Sequence, residues 1–98
     1  MSFTHLASFK WKDQTTTADV EAITAALTEL TTAFSGIESY RCGVDVSRTP
    51  ASYDYAVVGV FTNRDAFLTY RDHPEHQRIL NELIGPNLAN RIVVQLQS

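Results

Sequence analysis

The order of patterned segments predicts an α+β sandwich, a four-stranded antiparallel sheet with helices on one face. Three observations predict it. Alternating and helical stretches follow one another as βαββαβ. The third alternating stretch is apolar on both faces, as a central strand is. The second helical stretch is broken in two by His73-Pro74, because a residue before proline is pushed out of the α region.

Phe3 to Lys12 alternates Phe3, His5, Ala7, Phe9 and Trp11 against Thr4, Leu6, Ser8, Lys10 and Lys12, which reads as a strand with a half-polar second face. Asp13 to Thr17 is a polar connection, and Thr17 serves as N-cap with Asp19 and Glu21 in the first turn. Val20, Ile23, Leu27, Leu30 and Phe34 then keep helical spacing, and Gly36 is the expected C-cap. Ile37 to Val46 alternates again, with Tyr40, Cys42, Val44 and Val46 on one face. Ser47 to Ser52, with Pro50, is a loop. Tyr53 to Thr62, rich in β-branched and aromatic residues, is the central strand.

Asn63 caps a short helix that turns Ala66, Phe67 and Tyr70 inward. His73 then stands as N-cap of a second helix and Pro74 takes its first position, where a missing N–H costs nothing. Glu75 adds an acid to the positive end of that helix. His76, Ile79, Leu80, Leu83 and Ile84 share its apolar stripe, and Gly85-Pro86 ends it. Arg91 to Gln97 alternates Ile92, Val94 and Leu96 against Arg91, Val93 and Gln95, forming the last strand. The whole is a ferredoxin-like arrangement within one domain, residues 1–98. The bare sheet face carries too many apolar groups on the third strand to stay wet, so a homodimer packing two such faces together is expected.

Composition narrows the function. An apolar share of 44% belongs to a globular chain. The net charge is −3 with no basic patch, which argues against nucleic acid as a partner. No apolar run approaches membrane-spanning length. Cys42 is the only cysteine, which rules out an internal disulfide and suggests a reducing cytoplasm. There is no basic region followed by a long apolar run at the start, no Gly-rich phosphate loop, no Gly-x-Ser-x-Gly elbow and no redox motif.

The chemistry-bearing stretch is Tyr70-Arg-Asp-His73-Pro-Glu-His76, with His5 on the first strand. His5 and His76 lie on apolar faces that meet when a sheet and a helix pack, and each buried ring then needs a polar partner. Taken singly, each also reads as a structural histidine hydrogen-bonded to backbone. Tyr70 joins them as a third titratable group, whereas His73 reads as a helix cap. In the first turn of its helix, His76 feels the dipole's positive end, which keeps the imidazole neutral and able to accept a proton. His73 and His76 lack further ligands at a spacing that would complete a tetrahedral metal site, so neither a metal nor a cofactor is expected.

Nearly the whole chain resembles the stress-responsive α/β-barrel domain family, dimeric α+β barrels. The resemblance rests on His5-Leu-Ala-Ser-Phe9-Lys10, Gly43-Val-Asp45-Val46, Tyr53-Asp54-Tyr55, Tyr70 and above all His73-Pro74-Glu75-His76. The family includes olivetolic acid cyclase, which closes a linear polyketide thioester by aldol condensation. The resemblance implies a pocket holding His5, Tyr70 and His76, with His76 as general base and Ala7, Phe9, Phe67, His73 and Ile79 around them. It also implies that related barrels can hold a cation on main-chain carbonyls where the first helix ends, here around Thr31 to Ile37. Three functions remain open at this point: a polyketide cyclase-like enzyme, a non-catalytic stress-related dimer binding an apolar or polyketide-like small molecule, and a cofactorless monooxygenase or isomerase of the same fold.

Overall fold

Alternation along the first strand sets the inner face of the sheet. In the computed structural model, which describes residues 1–97, β1 runs Phe3–Trp11 and buries Phe3, Ala7 and Phe9 on one side. α1 (Thr17–Leu30) continues into a 3₁₀ turn at Thr31–Ala33. β2 (Ile37–Val44) and β3 (Tyr55–Phe61) pair antiparallel. α2 (Arg64–Asp72) and α3 (Pro74–Ile79) meet at His73, and a π-helical turn at Leu80–Ile84 and a 3₁₀ turn at Gly85–Asn87 lead to β4 (Leu88–Gln97). The sheet has four strands in the order β2-β3-β1-β4, every pair antiparallel. This is the expected α+β architecture.

The inner face carries Phe61, Val57 and Tyr55 of β3 opposite Phe3, Ala7 and Phe9 of β1. Ile23, Leu27 and Leu30 of α1, Phe67 and Tyr70 of α2, and Ile79 and Ile84 complete the core over it. The outer face is different. Leu6 pairs with Val58 on one side and Val94 on the other, Thr4 with Val60 and Leu96, and Ser8 with Ala56 and Ile92. No helix covers this face, and Ile92, Val94 and Leu96 remain 46%, 44% and 61% exposed. On its far edge β4 pairs with no other strand of the chain, and from Ile92 to Gln97 it carries no charge.

Several local expectations shift. The N-cap of α1 is Thr16, one residue before Thr17. Thr16 and Asp19 close a reciprocal capping box, Asp19 N to Thr16 Oγ1 at 3.1 Å and Thr16 N to Asp19 Oδ2 at 3.0 Å. Gly36 is not a helix cap, because α1 has already ended and no glycine takes a positive φ. It is a close-approach residue: a Cβ there would lie 2.7 Å from Ala66 Cβ, so its bareness lets α2 sit against the start of β2. The second helix keeps α geometry only to Ile79 and widens into a π turn before Ile84. The His73-Pro74 bend is as expected, with His73 extended at ψ 134° and its Nδ1 accepting from Glu75 N at 3.1 Å. Among the described residues no helix is long and apolar enough to cross a membrane.

Candidate active site

Strand register brings four positions into one row on the inner face: Tyr40 of β2, Gly59 of β3, His5 of β1 and Gln95 of β4. Gly59 leaves this row low in the middle. A Cβ there would lie 2.9 Å from Phe61 Cε1 and 3.2 Å from Tyr40 Cδ2, so its absence lets both rings lie across the gap. Above the row, α2 and the His73 bend aim Tyr70 and His76 down at the sheet. The two rings touch at a centroid separation of 4.4 Å.

Between sheet and helices is a pocket of about 210 Å³ whose walls include His5, Tyr70 and His76. Ala7, Phe9 and Phe67 also line it. His73 and Ile79 do not: the His73 ring is spent on its cap and packs edge-on against Phe34, and Ile79 points into the fully buried core. Leu80 and Ile84, at the two ends of the π turn, form part of the roof. Such turns widen a helix by one residue and recur at functional sites. β4 supplies the open wall with Arg91, Val93 and Gln95. No carboxylate lines the pocket.

Hydrogen bonds fix what each ring offers. His76 is 8% exposed, and its Nδ1 lies 2.9 Å from the carbonyl oxygen of Arg71. A carbonyl only accepts, so Nδ1 carries the proton and Nε2 keeps its lone pair. Burial lowers the His76 pKa below the usual histidine value, and the Arg71 carbonyl opposes that shift without reversing it. His5 is the mirror case. Gln95 Nε2 donates to its Nδ1 at 3.3 Å, leaving Nε2–H as a donor. Its pKa is lowered to about 4, first by burial, then by His76 and by Arg91. No hydrogen bond joins the two rings among the described residues; they face one pocket and act on each other only through space.

Tyr70 is held by a second tyrosine. Its hydroxyl lies 2.7 Å from that of Tyr40. Burial pushes the Tyr70 phenol up to about 12, the Tyr40 contact pulling the other way, and burial raises Tyr40 well beyond the usual tyrosine range. Both stay protonated at neutral pH. Either hydroxyl can donate to the other, and the Tyr70 ring lies beside that of His76.

Cys42 is half-buried on β2 and lies outside the pocket. Among the described residues, no group of three His, Cys, Asp or Glu side chains is placed to hold a metal ion. A wider, open groove of about 1010 Å³ runs between the start of α1 and the β2–β3 loop. Trp11 lines it, with Nε1 buried and unpartnered among the described residues, but the groove contains no histidine. Tyr40, Gln95 and Arg91 escape a sequence reading because their roles depend on strand register.

Comparison with known proteins adds the following. The family model of the stress responsive A/B barrel domain matches residues 3–98. No curated protein matches the chain. Among solved structures, a dimeric ferredoxin-like protein of unknown function from Thermobifida fusca is 37% identical, with a TM-score of 0.90 over 100% of this chain and 92% of that one. A Dabb family protein with a ferredoxin-like fold from Mesorhizobium loti superposes with a TM-score of 0.81 at 15% identity, covering 99% and 96%. A hydroxynitrile lyase from Passiflora edulis superposes with a TM-score of 0.83 at 16% identity, covering 97% and 91%. These last two share the fold.

Proposed function

The chain belongs to the stress responsive A/B barrel domain family, and from that premise we propose that it is a cofactor-independent acid–base catalyst of carbonyl chemistry, of the polyketide cyclase (aldol) type. The observation that carries this reading is the pair of opposite partners on the two histidines, a carbonyl oxygen at His76 Nδ1 and an amide nitrogen at His5 Nδ1, which imply a lone pair at His76 Nε2 and an N–H at His5 Nε2. In the forward direction His76 Nε2 removes a proton alpha to a carbonyl. The C–H electrons pass into the carbonyl, and His5 donates a hydrogen bond to the oxygen that gains charge. The enolate carbon then attacks a second carbonyl of the same chain, and the resulting alkoxide takes its proton back from the His76 imidazolium. The base is regenerated and one C–C bond has formed. Phe9, Phe67, Leu80 and Ile84 supply an apolar wall on which a flexible chain can fold, an entropic task suited to shape. The hydroxynitrile lyase of the same fold supports the reading only as an enzyme on this scaffold.

The test is α-proton exchange and ring closure of a short β-polyketo thioester, followed by NMR in D2O. His76→Ala should lose about 10²–10⁴-fold in rate while circular dichroism stays unchanged. A wild-type protein that binds the thioester without exchanging its protons would instead favour the non-catalytic, ligand-binding reading.

The working unit is proposed to be a homodimer of domain 1–98 packed through the outer sheet faces, in the cytoplasm. Exposed Ile92, Val94 and Leu96 support the interface, the dimeric Thermobifida relative supports the assembly, and the single cysteine supports a reducing compartment. Val94→Asp should halve the sedimenting mass at micromolar concentration. An unchanged mass would move the interface elsewhere.

A further inference from the structure

The pocket has an asymmetry that the two histidines do not explain. Its interior is apolar and its polar groups are neutral, yet among the described residues its walls include two guanidinium side chains and no carboxylate. One of the two is already committed: Arg71 donates from Nε at 2.8 Å and from an amino nitrogen at 3.1 Å to the two oxygens of Asp72. Arg91 is not. Among the described residues no carboxylate lies within ion-pair distance of it and no acceptor takes its guanidinium protons; only its backbone N–H is bonded, to Asn90 Oδ1 at 2.9 Å. It stands on the inner face of β4, opposite Phe9 and on the same side as Val93 and Gln95.

We infer that the ligand of this pocket is a carbonyl compound with a carboxylate at its far end, the carboxylate seated on Arg91 and the carbonyl between His5 and His76. This rests on the reading of the pocket as the active site and names its substrate class. A guanidinium fork matches a carboxylate in two parallel hydrogen bonds. One uncommitted arginine suits a monoanion, whereas a phosphate dianion would leave further charge and acceptors unmet. Spacing sets the length of the ligand. Arg91 and Gln95 are four residues apart on one strand, about 13 Å between Cα atoms. The reach of the arginine side chain shortens that, so the carboxylate lies a few bonds from the carbon that His76 deprotonates. The location is also open: β4 is exposed along this stretch, so a charged head group keeps water on one side while the chain behind it enters the apolar interior.

A matched pair of probes tests this, levulinate (a ketone with a terminal carboxylate) and its uncharged primary amide, each titrated into the full-length protein while the His5 and His76 ring signals are followed by NMR. Levulinate should bind about tenfold tighter or better, and the advantage should shrink with added salt. Arg91→Gln should abolish the advantage while leaving amide binding unchanged, and Arg91→Lys should retain part of it. Equal affinity for the two probes, a preference that survives in Arg91→Gln, or no response to either probe would overturn the assignment. The same samples in D2O report α-proton exchange separately. Preference for levulinate without His76-dependent exchange sinks the catalytic reading and leaves the carboxylate site standing; exchange without preference does the reverse.

Discussion

β3 and β4 flank β1 on its two sides and pair with it along nearly the same residues, yet they do opposite things. β3 has β2 on its far side and helices above, and every second residue from Tyr55 to Phe61 is buried. β4 is an edge with no helix over it, and it is exposed from Ala89 onward. Hydrogen bonding to β1 is common to both, so it cannot be what separates them. The difference lies in what covers the side chains. The covered side provides cohesion, and the uncovered side provides the open wall of the pocket.

The largest expected effect is a direct test of that division. Phe61, with no exposed surface and ring contacts to Phe67 and Tyr70, should cost about 3–5 kcal/mol when replaced by Ala. Val93→Ala, on the equivalent face of β4, should cost under about 1 kcal/mol because the residue is already 42% exposed. Urea unfolding of the two variants at one protein concentration makes the comparison; equal losses would remove the distinction between the two sides.

A smaller effect sits at the seam, on β1. The His5 pKa drops from 6.5 unfolded to about 4 folded, and that of His76 is lowered too. The unfolded chain therefore binds more protons in this range, so the stabilisation is complete above pH 6.5 and is lost as pH falls toward 4. The loss should be of order 1–2 kcal/mol, discounted for the part of His5 that stays in water. His5→Gln should flatten the slope of unfolding free energy against pH in this window. A slope of opposite sign would mean that the histidines are charged in the folded protein. Catalysis should follow the same direction, constant at neutral pH and falling in acid as His76 protonates.

Smallest is the tyrosine pair. Tyr40→Phe removes the 2.7 Å contact with Tyr70, and should cost about 0.5–1.5 kcal/mol. If Tyr70 only supports His76 through its ring, the exchange rate should barely move in this variant. A large rate loss with little change in stability would make the hydroxyl pair part of the chemistry.

Local physics made much of this molecule legible in its sequence. Proline forced the His73 bend, period-two alternation marked three strands and β-branched and aromatic content the central one, and Asn63 had the side chain a cap needs. His5, Tyr70 and His76 could be singled out because titratable groups on apolar faces need partners. What stayed hidden depends on contacts between distant segments. Gly36 looks like a helix terminator until Ala66 is seen beside it. Tyr40 is an ordinary strand tyrosine until register sets it across from Gly59. Arg91 and Gln95 belong to the pocket only because β4 pairs with β1 where it does. The π turn has no sequence mark, since Leu80 to Ile84 keeps an α-compatible apolar stripe.

The bond between His5 and Gln95 joins residues 90 positions apart. Loop closure over such a span must be completed before any contact rewards it, which slows folding of sheets of this kind. β1 can find β3 once Phe61 has been made, but it cannot meet β4 until the residues through Gln97 have been synthesised. Until then one edge of β1 and the apolar sides of three strands stand open to other chains, the condition under which partly made sheets aggregate. His5 is thus oriented by a pairing that spans 90 positions, and the row it shares with Tyr40, Gly59 and Gln95 exists only where the sheet is complete.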